Sequence, residues 1–541
     1  MNDPALVDLW WKNGLIYCVD VKSWRDSDGD GIGDLTGLAG SLDYLASLGV
    51  TCLWLMPICP SPWRDDGYDV TDYYAVDHRL GTLGDFVSCL HAAHAAGMRV
   101  ILDLPLNHTS DEHFWFQQAR ADRRSRYRDF YNWHDEPPEN LPPPIFPGEQ
   151  ESTCTYDPVA GQYYLHRYYD FMPDLDTRNP EVRQEIIKIL GFWLALGVDG
   201  FRLDSVPILI EEIRDGSGDG ASHAFLRDLH AFVSRRSGDA ALVGEANLPV
   251  DQLQLFFGGD GAEEMQVLFD FQTCAGMWLA MASGEAKALA GHLAGRPTAP
   301  PVAQHLTFLR HHDELSFEYA LSDAEADQVY GAFAPDKRHR AYDRGIRRRL
   351  APMFGGDPAR IRMALSLLLS LPGLPAILYG DELGLGDNLD LHGRLAVRTL
   401  MQWNTGHNGG FSTAEPDRLI RPPAPDGPYG YRQISVAAQM GDPGSQLSWF
   451  RHAAVIRRQS PEVGTGEHRL VEVADPHVLA IRYTRDHDMV VLHNFGAEPV
   501  TVQVADVRDG SYDILADSGY DAPRGGEVRL RGYGFRWLRL R

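Results

Sequence analysis

Four short apolar runs in this 541-residue chain end in polar clusters that could do chemistry: Asp103 to His108, Arg202 with Asp204, Glu245 with Asn247, and His311 to Asp313. A single acid at the end of a strand commonly caps the following helix. Four such clusters, bringing the carboxylates Asp204, Glu245 and Asp313 together with His108, Arg202 and His312, are not explained by capping. Burying that many charges without a task costs stability. Carboxylates beside an arginine and histidines suit nucleophilic and general acid–base work, because neighbouring charges set which carboxyl is ionised.

Something must position these side chains. Eight apolar runs recur between helical patterns, at residues 15–19, 51–56, 98–102, 200–203, 241–243, 265–269, 305–309 and 376–379. Strands alternating with helices predict a parallel sheet, and eight of them suit a closed (β/α)₈ barrel, in which chemistry sits at the carboxyl ends of the strands. Periodicity alone leaves an open doubly wound sheet as an alternative. Residues 107–176 are rich in aromatic, proline and charged residues and read as a loop-rich insertion after the third strand. The expected organisation is a barrel over 1–106 and 177–465, that insertion, lid material at about 314–359 with the cluster Arg344, Arg347, Arg348 and Arg349, and a C-terminal antiparallel β-sandwich over 466–541. The arginine cluster reads either as a latch onto acidic partners or as a solvated helix face.

Composition narrows the partners. With 50 basic and 75 acidic residues the formal charge is −25. Such a surface repels nucleic acid and anionic membranes and favours a small neutral substrate. The six cysteines are scattered without metal-ligand spacing, as expected of buried thiols in a reducing compartment. Residues 1–12 carry Asp3 and Asp8 and do not read as a secretion signal. No stretch approaches the roughly 18–20 apolar residues that cross a bilayer, so the expected location is the cytoplasm. The glycine-rich run from Asp28 to Gly33 is too acidic to hold a pyrophosphate, which excludes a dinucleotide site there.

The four clusters resemble the signature regions of the α-amylase family of glycoside hydrolases and transglycosidases. That resemblance implies that Asp204 is the nucleophile, Glu245 the general acid/base and Asp313 the carboxylate that grips substrate and stabilises the transition state. Arg202 would hold Asp204 ionised, Asp103 would anchor Arg202, and His108 and His312 would hydrogen-bond the sugar. Retaining chemistry needs two carboxyls about 5–5.5 Å apart with separated pKa values, and an arginine beside Asp204 but not beside Glu245 would separate them.

Two more segments extend the resemblance. Asp65, Asp66, Gly67 and Tyr68 are similar to the sugar clamp of exo-acting members, which implies an Asp65–Arg398 pair around one terminal glucose with Tyr68 stacked on its ring; packing at the barrel rim is the plain alternative for Tyr68. The loop Asp26, Asp28, Asp30, Ile32, Asp34 resembles the start of an EF-hand, with Gly37 in place of the bidentate glutamate. It implies one structural Ca²⁺ (or Mg²⁺) held by those four carboxylates and the Ile32 carbonyl; a metal-free Asp/Gly turn is the alternative. No organic cofactor is expected. The resemblance runs from Trp11 into the C-terminal domain and is strongest to the maltose–trehalose isomerases, through residues 200–207, 245–247, 312–315, 345–352 and 156–163. Here His311 stands where that pattern has Asn, Leu400 where it has Pro, and the insertion around Glu136–Gln150 does not follow it, changes that bear on acceptor choice. An α-glucosidase or transglucosidase acting on maltose, sucrose or similar glucosides shares every step up to the glucosyl–enzyme, and a non-catalytic sugar-binding relative is a remote third reading. Oligomeric state is not legible.

Overall fold

The computed structural model describes residues 9–210, 221–342 and 344–541; residues 1–8, where the reading against a secretion signal falls, lie outside it. Eight parallel strands close into a barrel: β1 (Ile16–Val19), β2 (Cys52–Leu55), β3 (Arg99–Leu104), β4 (Gly200–Leu203), β5 (Ala241–Gly244), β6 (Val267–Phe269), β7 (Gln304–Phe308) and β8 (Leu374–Leu378), each beside its neighbour in sequence, with β8 returning to β1. These strands read as near-continuous apolar runs because the barrel buries both faces. All eight expected runs are present, and the open-sheet alternative falls away.

Gly200 opens β4 at φ +157°, where an added Cβ would lie 2.3 Å from the Ala241 carbonyl oxygen. Only glycine lets β4 and β5 approach closely enough for their next residues to pair. Register then does the positioning. Asp103 on β3 lies opposite Arg202 on β4, and Leu203 lies opposite Gly244 on β5. Asp204 and Glu245 therefore leave adjacent strand ends side by side.

The insertion after β3 is more ordered than a loop. It holds the helix Phe114–Ala121 and a small antiparallel sheet of Trp133–His134, Gln162–Leu165 and Cys154–Asp157. The segment after β7 holds the helix Asp323–Phe333 and three two-residue strands. Beyond the barrel, β9 (Glu467–Leu470), β10 (Val478–Thr484), β11 (Met489–Asn494), β13 (Tyr512–Ala516) and β15 (Phe535–Arg539) form an antiparallel sheet faced by the pair β12 (Val500–Gln503) and β14 (Glu527–Leu530). Alternation splits β10 in two directions. Val478 and Ala480 enter the sandwich core, while Leu479, Ile481 and Tyr483 join the barrel's core. Trp537 on β15 donates to the Ser366 hydroxyl at 3.0 Å, fixing the sheet against the barrel.

Candidate active site

Arg202 is fully buried and forks into three carboxylates. Nη1 donates to Asp103 at 2.8 Å and to Asp204 at 2.5 Å, and Nη2 donates to Glu245. Asp103 anchors Arg202, as expected. The expectation that Arg202 stands beside Asp204 alone is wrong: the β4–β5 register puts Glu245 on the same guanidinium. Burial pushes the Glu245 carboxyl up to about 8, reinforced by the negative charges of Asp204 and Asp313 and opposed by Arg202. The rise at Glu245 thus comes from desolvation and like charge. Ser205, held in the left-handed region at φ 41°, turns its N–H onto Glu245 at 3.2 Å. A non-glycine residue there is strained, and such strain gathers at functional sites.

Asp313 faces this pair from the end of β7. It accepts from Arg394 at 2.9 Å and from Arg398 at 2.8 Å, and His312 Nε2 lies 2.9 Å from its other oxygen. Burial raises its pKa, but His312 and the two arginines prevail and hold it well below the usual carboxylate range. The implied Asp65–Arg398 pair is not formed. Asp65 takes Arg394 instead, both oxygens at 2.7 Å from one nitrogen, and Arg398 takes Asp66 at 2.7 Å. The adjacent acids point to different arginines because Asp66 sits at φ 55° and reaches inward, where Arg421 also meets it. Arg394 was missed: no spacing distinguishes it from Arg398 four residues on.

Tyr68 is buried and lies parallel to the His312 ring, centroids 5.7 Å apart. Its hydroxyl donates to Asp103 at 2.9 Å and lies 2.6 Å from His312 Nε2, so it ties β3 to β7. His108 Nε2 lies 3.0 Å from the Tyr68 carbonyl oxygen, burial lowers its pKa to about 4, and its Nδ1 has no hydrogen-bond partner among the described residues. His311 and Leu400 are both buried, His311 against Phe269, Phe271 and Phe308.

The insertions roof this site. Tyr168 hydrogen-bonds Ser205 and packs on His108, and Phe146 packs on Tyr342 with centroids 4.5 Å apart. Arg394 lies 5.0 Å from the centre of the Phe146 ring. Arg344 joins the two insertions, pairing with Glu314 at 2.8 Å and donating to the Ile145 carbonyl at 2.9 Å. Arg348 pairs with Asp387, and Arg349, fully buried, with Asp381. The arginine cluster is a latch, not a solvated face.

On the loop before the first barrel helix, carboxylate oxygens of Asp26, Asp28 and Asp34 lie within 4.8 Å of one another. Asp30 is outside that set, its Oδ1 accepting from the Ile32 N–H at 2.8 Å. The loop is also braced from within: Asp26 accepts from Gly29 at 2.7 Å, Gly31 at 2.8 Å and the Ser412 hydroxyl at 2.5 Å.

The α-amylase catalytic-domain family matches residues 17–315 and 346–466, and the C-terminal domain of sucrose hydrolase-like proteins matches residues 487–539. The unmatched stretch between 315 and 346 carries Tyr342 and Arg344. The trehalose synthase/amylase of Mycolicibacterium smegmatis is 40% identical, over 98% of this chain and 93% of its own. The crystal structure of an α-amylase from H. orenii superposes with TM-score 0.80 at 28% identity, covering 98% of this chain and all of that one. The trehalulose synthase of Pseudomonas mesoacidophila MX-45 superposes with TM-score 0.78 at 26% identity over the whole of both chains. The chain is an enzyme of the α-amylase family.

Proposed function

We propose that this enzyme interconverts maltose and trehalose by moving one α-glucosyl unit through a covalent intermediate on Asp204. Asp204 attacks the anomeric carbon as Glu245 gives its proton to the departing glycosidic oxygen, releasing glucose. The freed glucose turns in the pocket, Glu245 takes the proton from its anomeric hydroxyl, and that oxygen attacks the glucosyl carbon and frees Asp204. The raised Glu245 carboxyl carries a proton at neutral pH, as the first step requires. Asp313, His312 and His108 would hold the hydroxyls of the reacting ring, with Arg394 and Asp65 closing the end beyond it.

The observation that carries isomerisation over hydrolysis is the roof. Arg344 binds both insertions to each other and to Glu314, the residue after Asp313. A closed roof retains glucose and excludes water, the competing acceptor. The 40%-identical relative's name, trehalose synthase/amylase, points the same way. Incubation with maltose, trehalose and sucrose separately, with products separated by chromatography, tests the reading: trehalose should dominate from maltose, and glucose alone would assign a hydrolase.

The reading also gives the 26–34 loop one structural Ca²⁺ or Mg²⁺, supported by the convergence of Asp26, Asp28 and Asp34, with Asp30 turned to the Ile32 N–H instead. Three carboxylates and the released glucose suffice for the chemistry, so the reaction calls on no organic cofactor. Cytoplasmic residence is supported by six free, buried cysteines. Among the described residues no helix is long and apolar enough to cross a membrane.

A further inference from the structure

At the opposite end of the barrel from Asp204 lies a cavity of about 310 Å³ between the barrel floor and the segment leading into the C-terminal domain. Its wall includes Lys12 before β1, Arg296 and His305 at the entry to β7, Gly373 before β8, and Thr465 and His468 at the start of the C-terminal sheet. That volume is at the low end of small-molecule pockets, which run from roughly 300 to 1,000 Å³.

One cation in this wall lacks a counter-charge among the described residues. Lys12 is nine-tenths buried and its ammonium donates to the Ala303 carbonyl at 2.7 Å. Among the described residues it has no carboxylate partner, so a buried cation with two further N–H bonds borders the cavity. Such a charge is costly unless it is paired, and burial lowers its pKa to about 8. His305 is buried as well. Its Nε2 lies 2.8 Å from the Pro297 carbonyl oxygen and so carries the ring proton; Nδ1, closed off from the cavity, has no hydrogen-bond partner among the described residues. Arg296 adds a second cation, balanced by Asp270 at 3.1 Å. The wall therefore offers one uncompensated positive charge beside a balanced guanidinium.

We propose that this cavity binds a small hydroxylated anion, a sugar phosphate in chemical class, with its phosphate on Lys12 and Arg296 and its sugar in the remaining volume. A neutral sugar would leave Lys12 unpaired, and inorganic phosphate would leave most of the cavity of about 310 Å³ to water. The site is separate from the catalytic carboxylates, which lie at the carboxyl ends of the strands.

The test is calorimetric titration of the full-length enzyme with glucose 6-phosphate and with inorganic phosphate, in the native protein and in Lys12→Met and His468→Glu variants. Methionine fills the volume of a buried lysine without its charge, and His468 lies on the exposed rim, so the second variant adds a repelling charge without touching the core. Glucose 6-phosphate should bind the native enzyme more tightly than phosphate. Lys12→Met should bind it about tenfold or more weakly, as loss of a charged hydrogen bond predicts, and His468→Glu should weaken it by like-charge repulsion, while maltose turnover is unchanged in both. Absence of binding to the native enzyme, undiminished binding in both variants, or equal affinity for the two probes would overturn the assignment.

Discussion

Arg394 and Asp65 are joined at two points, both carboxylate oxygens lying 2.7 Å from one guanidinium nitrogen, while the other terminal nitrogen reaches Asp313 at 2.9 Å. Arg394 thus couples the outer wall of the pocket to a carboxylate at its centre. Removing one partner of a buried ion pair costs about 3–5 kcal/mol.

Arg394→Ala should therefore lower kcat/KM for maltose by roughly two to three orders of magnitude. A double-mutant cycle gives the sharper check. Asp65 and Arg394 should show a coupling of about 1 kcal/mol or more, and Asp65 with Arg398 far less, because only the first pair is in contact.

With Glu245 raised to about 8, its acid form predominates below that pH. The kcat/KM profile should fall as pH rises through about 8, the limb on which the general acid loses its proton. Glu245→Gln cannot donate that proton; it should cost about 10²–10⁴ in rate on substrates with poor leaving groups and abolish the alkaline limb. An alkaline limb that persists in the variant would assign it to another group.

Arg344 holds the roof through Glu314 and the Ile145 carbonyl. Arg344→Ala should admit water and raise the share of free glucose among the products from maltose about tenfold, the population shift expected from losing a charged hydrogen bond. Chromatographic product ratios read this directly, and an unchanged ratio would show that the latch does not control acceptor choice.

Removal of divalent cations with a chelator should lower Tm and leave the pH profile unaltered, because the 26–34 loop braces the fold through Ser412 rather than touching Glu245. Restoring Ca²⁺ to about 100 times its Kd should return about 2.7 kcal/mol of stability. Asp26→Ala should abolish that response; a chelator-insensitive Tm would make the loop a metal-free turn.

The barrel was legible because each strand is a short apolar run, four of them ending in a polar cluster, and the roles suggested for Arg202 and Asp103 follow from one register. Pairings between distant segments were not legible. Asp65 and Asp66 are neighbours with two arginines within reach, and only the left-handed backbone at Asp66 decides which acid turns inward. Ser205 and Tyr168 gave no signal either, since a hydroxyl beside a catalytic pair has no distinctive spacing. Glu245 was expected to stand clear of the arginine; the extension of the β4–β5 pairing brings it in.

The central claim, a glucosyl group carried by Asp204, is tested most directly by mass spectrometry of enzyme treated with a slowly turned-over activated fluoroglucoside. The account predicts one added fluoroglucosyl mass on the peptide containing Asp204 and none in Asp204→Ala. Modification of Glu245 or Asp313 in place of Asp204 would contradict it.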